Sequence, residues 1–445
     1  MNGSERAVRE TGTRTIVIGA GSGGCVAAAR LSEQEQHRVT LVEAGPDLAP
    51  GEVLPAIDGP DYLAAMAVPG RVDTDVHATR VQGGDPRPYP LGRGLGGSSA
   101  INGMVAARGD AARYRSWGWH DAAETWERVA VPVERPAASE LGAVDRALLD
   151  AEAGAEPALL TRRDGRRVTS AEAYLWPARE RSNLEILTDS AVTRIVLDGR
   201  RAVGVVLDDG TELAADRVVV AAGAIHTPAL LLRSGVDTPG IGTGLQDHPA
   251  VAFTLALHEP DDPSRLVTGA VADRGTIQLL PMNHLGSSPD GASHGMLMAA
   301  LMSPHGRAGT VTVAPDGAPQ VDEALLADPR DVAELVRAAR ETLDLLRTPS
   351  FAALVSTVYI DDHGTTADVL ADDVALETWV RSATGAYLHA TSTCAMGTVV
   401  DADGAVAGHQ GLFVCDASVF PAIPDANTHL PTVMLAERLC ARWAR

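Results

Sequence analysis

The sequence of 445 residues contains no lysine, so all 37 of its basic side chains are arginines. Catalysis through a lysine Schiff base, or through the lysine of a nucleotide-binding P-loop, is therefore excluded. Basic residues are also outnumbered, because 58 acidic side chains give a formal net charge of -21. Such a charge repels phosphate backbones, so nucleic acid is not an expected partner.

Cysteine is scarce as well, and the four residues stand far apart, at positions 25, 394, 415 and 440. We find no C-x-x-C pair and no histidine and cysteine cluster with zinc spacing, so we expect neither a disulfide framework nor a metal site. The longest apolar stretch, residues 218–232, is broken by glycine, histidine and proline and is too short to span a membrane. The N-terminal arm lacks the apolar core of a signal peptide. We therefore predict a cytoplasmic protein without an integral membrane segment.

The remaining composition is typical of a globular enzyme, with 45% apolar and 21% charged residues. The length exceeds what one hydrophobic core commonly supports, which predicts two domains or one elaborated α/β domain. Residues 184–187, 192–197 and 202–207 are predicted to form a β-meander that leads back to the first sheet. A change of composition after residue 250 indicates a second domain inserted into the first.

A glycine-rich turn follows the first predicted strand and opens a helix-favouring segment. It reads Gly19-Ala20-Gly21-Ser22-Gly23-Gly24 and matches the G-x-G-x-x-G pattern of dinucleotide-binding βαβ units. Gly19 permits the tight turn, Gly21 lets a pyrophosphate approach the backbone, and Gly24 allows the helix to pack closely on the sheet. Ser22 lies at the helix start, where N–H groups bind phosphate.

Glu43 ends the second predicted strand and is the acid expected to bind the ribose hydroxyls. The glycine pattern by itself is also compatible with an ordinary turn. Strand, helix and acid in this order predict a dinucleotide site, but they do not distinguish FAD from NAD.

Five further blocks narrow the choice of cofactor. Residues 93–104 form a second glycine-rich loop with serine and asparagine donors, suited to contact with a flat heterocycle. The other blocks are GAIHTPALLLRSGV at 223–236, GLQDHP at 244–249, HATSTCAMG at 389–397 and GLFVCDASVFP at 411–421. In content and order these blocks resemble the signatures of the glucose-methanol-choline (GMC) family of FAD oxidoreductases.

The resemblance implies an α/β fold with a Rossmann-like FAD-binding domain and an inserted α+β substrate-binding domain. The FAD-binding domain is expected to be discontinuous, with residues 12–118, 183–250 and 381–445. The substrate-binding domain is expected to comprise residues 119–182 and 251–380. Family members are usually longer, so the closure of the substrate pocket is not predicted.

The resemblance also assigns residues to the cofactor. Ile101 stands where some members attach FAD covalently through histidine, which implies non-covalent FAD. Val192 is implied to contact adenine through its backbone. The residues implied along the pyrophosphate and the isoalloxazine are Gly97, Ser98, Asn102, Gly103, Val105, Asp416 and Ala417.

In the family, the C-terminal half supplies a histidine and a second histidine or asparagine at the reactive face of the flavin. By motif position these are His389 and Asn427. A histidine with an ordinary pKa near 6.5 accepts a hydroxyl proton near neutral pH, and an amide donates to the developing alkoxide. Without the motifs, a buried structural histidine and a turn asparagine are the alternatives. His429 is a rival base, but the resemblance assigns it to the cofactor.

Three other residues receive structural roles. We interpret His226 and His248 as structural histidines within their blocks. We interpret Cys394, for which the sequence shows no base partner, as a small buried apolar residue.

The implied function is oxidation of an alcohol to a carbonyl, with hydride transfer to flavin N5 and His389 as the base. The alcohol, the oligomeric state and the electron acceptor, whether oxygen, a quinone or another redox carrier, are not predicted. Length and the acidic, lysine-free composition suggest the mycofactocin-associated branch of the family. Two alternatives stay open: a lyase of the hydroxynitrile-lyase type that holds FAD without net redox turnover, and a flavoprotein without catalysis.

Overall fold

A five-stranded parallel sheet forms the centre of the first core in the computed structural model, which describes residues 12–285 and 293–444. Its strands, in spatial order, are Leu184–Leu187, Arg38–Val42, Arg14–Ile18, Arg217–Val220 and Leu412–Val414. The central strand carries Ile16, Val17 and Ile18, all buried. Branched apolar residues on both faces suit a parallel strand covered on both sides.

Helices connect and cover these strands. Ser22–Leu31 follows the central strand, Gly223–Arg233 follows Arg217–Val220, and His429–Trp443 lies near the end of the chain. The first and last of these helices pack against each other, since alanines in the first permit close approach. This arrangement confirms the predicted Rossmann-like fold.

The predicted meander is real but differs in its first strand. Val192–Asp198, Arg201–Leu207 and Glu212–Ala214 form a separate three-stranded antiparallel sheet. Leu184–Leu187 instead pairs in parallel with Arg38–Val42. A short apolar strand gives no sign in the sequence of which sheet it joins.

A seven-stranded antiparallel sheet forms the second core. Its strands are Val355–Tyr359, Pro249–Leu257, His294–Leu301, Ile277–Met282, Ala270–Arg274 and Ala155–Pro157, with Gly385–Ala386 paired beside Pro249–Leu257. Helices Ala143–Ala151, Pro329–Leu346 and Asp373–Ala383 pack their apolar faces in the same cluster. The two sheets have separate apolar clusters. The predicted domain boundaries stay a proposal.

Smaller elements complete the described chain. A third sheet contains Thr243–Leu245, Gly309–Val313, Pro319–Asp322, His77–Thr79 and Arg87–Pro88. Two strand pairs are Val72–Asp73 with Leu91–Gly92 and Arg162–Arg163 with Arg166–Arg167. Short helices are Pro55–Asp58, Tyr62–Met66, Ala111–Ser116, Ala122–Trp126, Trp176–Ala178 and Pro349–Ala352. Single tight or wide helical turns are Gly97–Ala100, Ala171–Leu175, Ala367–Leu370 and Ala417–Val419.

All four cysteines are buried and free. Burial raises the pKa of the Cys25 and Cys394 thiols, and that of Cys415 is raised by its neighbour Cys440 and by burial. Among the described residues, no helix is long and apolar enough to cross a membrane.

A buried acid joins the first and last helices. Glu437 is 0% exposed, and its carboxylate accepts hydrogen bonds from Arg30 Nη2 at 2.7 Å and from the Tyr174 hydroxyl at 2.9 Å. The same arginine also contacts Glu33, whose side chain is 46% exposed.

Replacement of Glu437 with alanine should destabilise the protein strongly, because it removes the buried carboxylate that accepts from Arg30 Nε and from the Tyr174 hydroxyl. We expect Glu437→Ala to lower the free energy of unfolding by about 3 kcal/mol. Glu33→Ala, which removes the exposed partner of the same arginine, should cost less than about 1 kcal/mol. Urea unfolding followed by tryptophan fluorescence measures both, and equal midpoints for the two variants would contradict the prediction.

Candidate active site

The predicted dinucleotide turn has the geometry of a phosphate site. Gly19 has a φ of +92°, and a Cβ on Gly24 would lie 1.8 Å from the Gly19 carbonyl oxygen, so both positions require glycine. A Cβ on Gly21 would meet no atom within 4 Å. Open space therefore adjoins the start of helix Ser22–Leu31, where N–H groups can bind an anion.

Glu43 is engaged more heavily than the sequence indicated. Its Oε2 accepts the N–H of Ala20 at 2.7 Å, and its Oε1 accepts those of Gly45 and Gly94, each at 2.9 Å. A carboxylate has about four acceptor positions. About one remains for a ribose hydroxyl, so the predicted ribose contact stays a proposal.

The second glycine-rich loop lies directly against the first turn. A Cβ on Gly97 would come within 2.7 Å of the Gly21 Cα, and Gly97 has a φ of +51°. The Ser98 hydroxyl accepts the N–H of Gly92 at 3.0 Å, which closes the loop on itself. The two segments thus form the sides of one cleft.

The rest of the predicted cofactor residues fall into two groups. Asn102 Oδ1 accepts the N–H of Met104 at 3.0 Å, Gly103 lies beside the ring of Tyr62, and Val105 pairs with Leu160. These three continue the second loop.

The second group lies at the ends of the parallel strands. Asp416 accepts the Gly223 N–H at 2.9 Å and the Thr227 hydroxyl at 2.5 Å, so it fastens the 223–233 helix to the last block. The Ala417 carbonyl accepts the N–H of Ser392 at 3.1 Å. Val192 lies apart, where its carbonyl accepts from Arg233 at 3.2 Å.

Several buried polar atoms around this cleft lack hydrogen-bond partners in the part of the chain that the structure describes. They are His429 Nε2, Asn427 Oδ1 and Arg167 Nη2. His429 Nδ1 lies 2.9 Å from the Ser22 hydroxyl, so this ring is turned towards the dinucleotide turn. Open space at Gly21 together with these unsatisfied atoms fits a dinucleotide with a polar heterocycle such as FAD.

The candidate reacting centre contains two histidines in direct contact. His389 Nδ1 lies 2.9 Å from His248 Nδ1, and His248 Nε2 donates to the Pro424 carbonyl at 3.0 Å. Because a neutral imidazole carries one N–H, this carbonyl leaves His248 Nδ1 as an acceptor. His389 must then donate from Nδ1, which leaves its Nε2 with a free lone pair.

Burial and the neighbouring His248 hold the pKa of His389 well below 6.5, and burial lowers the pKa of His248 to about 4. Both rings are therefore neutral at pH 7, the form that a general base requires. The backbone is held too, since Asp247 accepts the N–H of His389 at 2.9 Å.

Tyr387 links the predicted pair. Its ring meets that of His389 edge to face with centroids 4.6 Å apart, and its hydroxyl faces the side-chain amide of Asn427. The intervening Leu388 has a φ of +62°, a left-handed conformation that carries strain outside glycine. The structure thus gathers His389 and Asn427 around one tyrosine.

Sequence reasoning missed three of these residues. It gave His248 a structural role, whereas the structure joins its ring to His389. Tyr387 precedes the catalytic block and Arg167 lies in no recognised block, so neither carried a signal. The adjacency of Asp247 and His248 in GLQDHP was the one available indication.

Asp247, His248 and His389 also place possible metal-ligating atoms within 4.8 Å of one another. The two Nδ1 atoms share a hydrogen bond, however, and His248 Nε2 is bonded to a carbonyl. The geometry is that of a hydrogen-bonded histidine pair in which His248 fixes which nitrogen of His389 carries the proton.

Comparison with known proteins decides the family. Models described as GMC oxidoreductase match residues 135–250 and 304–436, and a model of an NAD(P)-binding Rossmann-like domain matches residues 17–52. The chain belongs to the GMC oxidoreductase family. It is therefore an FAD-dependent oxidoreductase that acts on CH–OH groups.

Individual relatives cover nearly the whole chain. The 5-(hydroxymethyl)furfural oxidase of Methylovorus sp. (strain MP688) is 29% identical, over 95% of this chain and 97% of the relative. The oxygen-dependent choline dehydrogenase of Paraburkholderia xenovorans (strain LB400) is 30% identical, over 96% and 93%. The crystal structure of pyridoxine 4-oxidase from Mesorbium loti superposes with a TM-score of 0.85 at 27% identity, covering 97% of this chain and 99% of that one.

The contact between the two histidines predicts that His248 is a positioning residue for this GMC oxidoreductase. His248→Ala should slow anaerobic flavin reduction at least about tenfold, the scale typical of lost supporting partners. The low pKa of His389 should keep the wild-type rate constant as pH falls through 6.5, since the base is lost only below its own pKa. His248→Gln, whose side-chain oxygen can still accept the His389 Nδ1 hydrogen, should recover most of the rate lost in His248→Ala, a rescue that a purely structural role would not produce.

His258→Ala, at an exposed histidine, serves as the control and should leave both rate and pH profile unchanged. Stopped-flow absorbance at matched flavin content measures the effect. Equal rates for His248→Ala and His248→Gln would exclude the positioning role.

Proposed function

We propose that this protein oxidises a neutral alcohol to a carbonyl with non-covalently bound FAD, and that His389 Nε2 is the base. The observation that carries this proposal is the hydrogen-bond relay from Pro424 through His248, which leaves the Nε2 lone pair of His389 free. Asn427 completes the pair as a neutral amide beside Tyr387.

The chain's own residues divide the work of the reaction. Bound FAD supplies the hydride acceptor. His389 Nε2 takes the hydroxyl proton, which increases negative charge on the alcohol oxygen. The Asn427 amide donates to that oxygen and cannot compete for the proton.

Uncharged side chains around this centre support a neutral substrate. Tyr387 and Met298 pack against the apolar cluster that contains Met104 and Leu280, and Tyr62 lies beside Gly103 of the second glycine-rich loop. Aromatic and thioether groups suit a ring-bearing alcohol. This agrees with the names of two relatives, 5-(hydroxymethyl)furfural oxidase and pyridoxine 4-oxidase.

We propose oxygen as the electron acceptor of this protein, because the names of these two relatives describe them as oxidases. A quinone or a mycofactocin-linked carrier is the alternative, which an acceptor screen with reduced enzyme separates. A cytoplasmic location is part of the proposal, and fractionation of cells that express the protein tests it.

Anaerobic mixing with alcohols should bleach the flavin. A positioned general base contributes about 10² to 10⁴ in rate, so His389→Ala should slow bleaching by that order while it retains the FAD spectrum. Bleaching of wild type at the same rate as His389→Ala would remove the assignment of the base. Cyanohydrin cleavage without bleaching would favour the lyase, and neither activity would leave a non-catalytic flavoprotein.

We expect the flavin to be released on denaturation, because Ile101 offers no nucleophile for a covalent link. Acid precipitation should leave yellow flavin in the supernatant. Flavin that remains with the washed pellet would contradict non-covalent binding.

A further inference from the structure

Two buried arginines stand opposite each other in one small hairpin. Arg162–Arg163 pairs with Arg166–Arg167, and Arg162 is in register with Arg167. The two side chains are 2% and 1% exposed. Their surroundings differ in one respect, the presence of carboxylates.

Arg162 is neutralised by two acids. Its Nε lies 2.9 Å from Glu134 Oε1, and its Nη1 and Nη2 donate to the two oxygens of Glu140 at 2.7 and 3.0 Å. This buried cation has its counter-charges within the chain.

Among residues 12–285 and 293–444, Arg167 bonds to neutral oxygens alone. Its Nε donates to the Ile57 carbonyl at 2.8 Å, and its Nη1 donates to the carbonyl and the Oδ1 of Asn102 at 2.7 and 2.8 Å and to the Ser99 carbonyl at 3.3 Å. No described residue accepts a hydrogen bond from its Nη2. Asp58 acts on Arg167 electrostatically, but its carboxylate is bound by Arg166 at 2.7 Å.

A buried charge without a counter-charge is costly, so a full complement of carbonyl bonds would still leave Arg167 under-compensated. Burial lowers the pKa of Arg167 to about 10, which keeps it cationic at pH 7. No carboxylate in the described part of the chain bonds to Arg167, so the negative charge that it still lacks points to a bound ligand.

The position of Arg167 indicates where that charge lies. Two of the residues that it binds, Ser99 and Asn102, belong to the second glycine-rich loop. Its charge also reaches His429, whose pKa is lowered to about 4 by burial and by Arg167. Arg167 therefore lies between the second glycine-rich loop and the start of helix His429–Trp443.

We propose that Arg167 is the counter-charge for an anionic oxygen of the bound FAD. This oxygen belongs either to the pyrophosphate or to the isoalloxazine ring, which becomes anionic on reduction. The inference rests on FAD as the cofactor of the proposed function and adds a residue to which no block assigned a role.

Two variants distinguish the effect of the positive charge of Arg167 from the effect of its hydrogen bonds. Arg167→Gln keeps an amide donor for the loop carbonyls and loses the charge, whereas Arg167→Lys keeps the charge and loses the forked donors. Flavin-free protein titrated with FAD gives the Kd, and dye equilibration gives the midpoint potential. Arg162→Gln, from the same hairpin, is the matched control for damage to the hairpin.

We expect Arg167→Gln to weaken FAD binding at least tenfold, or to lower the midpoint potential by about 30 mV, the two-electron equivalent of a tenfold change. Arg167→Lys should recover most of the loss. Weaker binding at an unchanged potential identifies the pyrophosphate, and a lower potential at unchanged affinity identifies the ring. Arg162→Gln should lower the unfolding midpoint without either change.

Two results would overturn the proposal. One is an Arg167→Gln variant with wild-type affinity and potential. The other is an equal loss in Arg167→Gln and Arg167→Lys, which would reduce Arg167 to a support for the loop. Failure of wild type to bind FAD would instead reject the proposed function.

Discussion

The buried carboxylate of Glu43 joins three stretches of backbone that are far apart in the sequence. It accepts N–H groups from the first glycine turn at Ala20, from the strand end at Gly45 and from the second loop at Gly94. With these three points tied to one side chain, Gly97 is brought against Gly21 and the two loops become opposite walls of one cleft. Everything that the cleft holds, including the reacting centre at its far end, depends on this spacing.

Two hydrogen-bond relays orient the reacting pair from outside it. The first runs from the Pro424 carbonyl through His248 to His389. The second runs from Asp273, which accepts from the Gln278 amide at 3.2 Å, to the Tyr387 hydroxyl, which donates to Gln278 Oε1 at 3.1 Å. Because that hydroxyl hydrogen is occupied, the Tyr387 oxygen is left to accept from Asn427. Gln278 in the antiparallel sheet and His248 next to strand Pro249–Leu257 thus determine which atoms of Tyr387 and His389 donate and which accept hydrogen bonds.

Local patterns made the fold and half of the site predictable from the sequence. The turn at Gly19 and the helix that follows it are specified within a few residues of sequence, and so is the order of the family blocks. The pairing of Leu184–Leu187 depends on a long-range choice between two sheets. The role of His248 likewise depends on a ring 141 residues away, and that of Arg167 on the absence of an acid in three dimensions. The spacing of residues along the sequence does not show which sheet a strand joins, which distant ring a histidine contacts, or which side chains surround a buried arginine.

The burial of the cysteines affects how readily hydrogen peroxide can oxidise the thiols of this protein. A flavin that passes electrons to oxygen releases hydrogen peroxide, which oxidises thiolates far more readily than protonated thiols. Cys394 and Cys415 lie in the two blocks nearest the reacting centre, yet both are closed to solvent and their raised pKa values keep them protonated. With oxygen as the proposed acceptor, sulfenic acid formation is therefore suppressed at the sites closest to the source of oxidant, and turnover need not end in self-inactivation through these sulfurs.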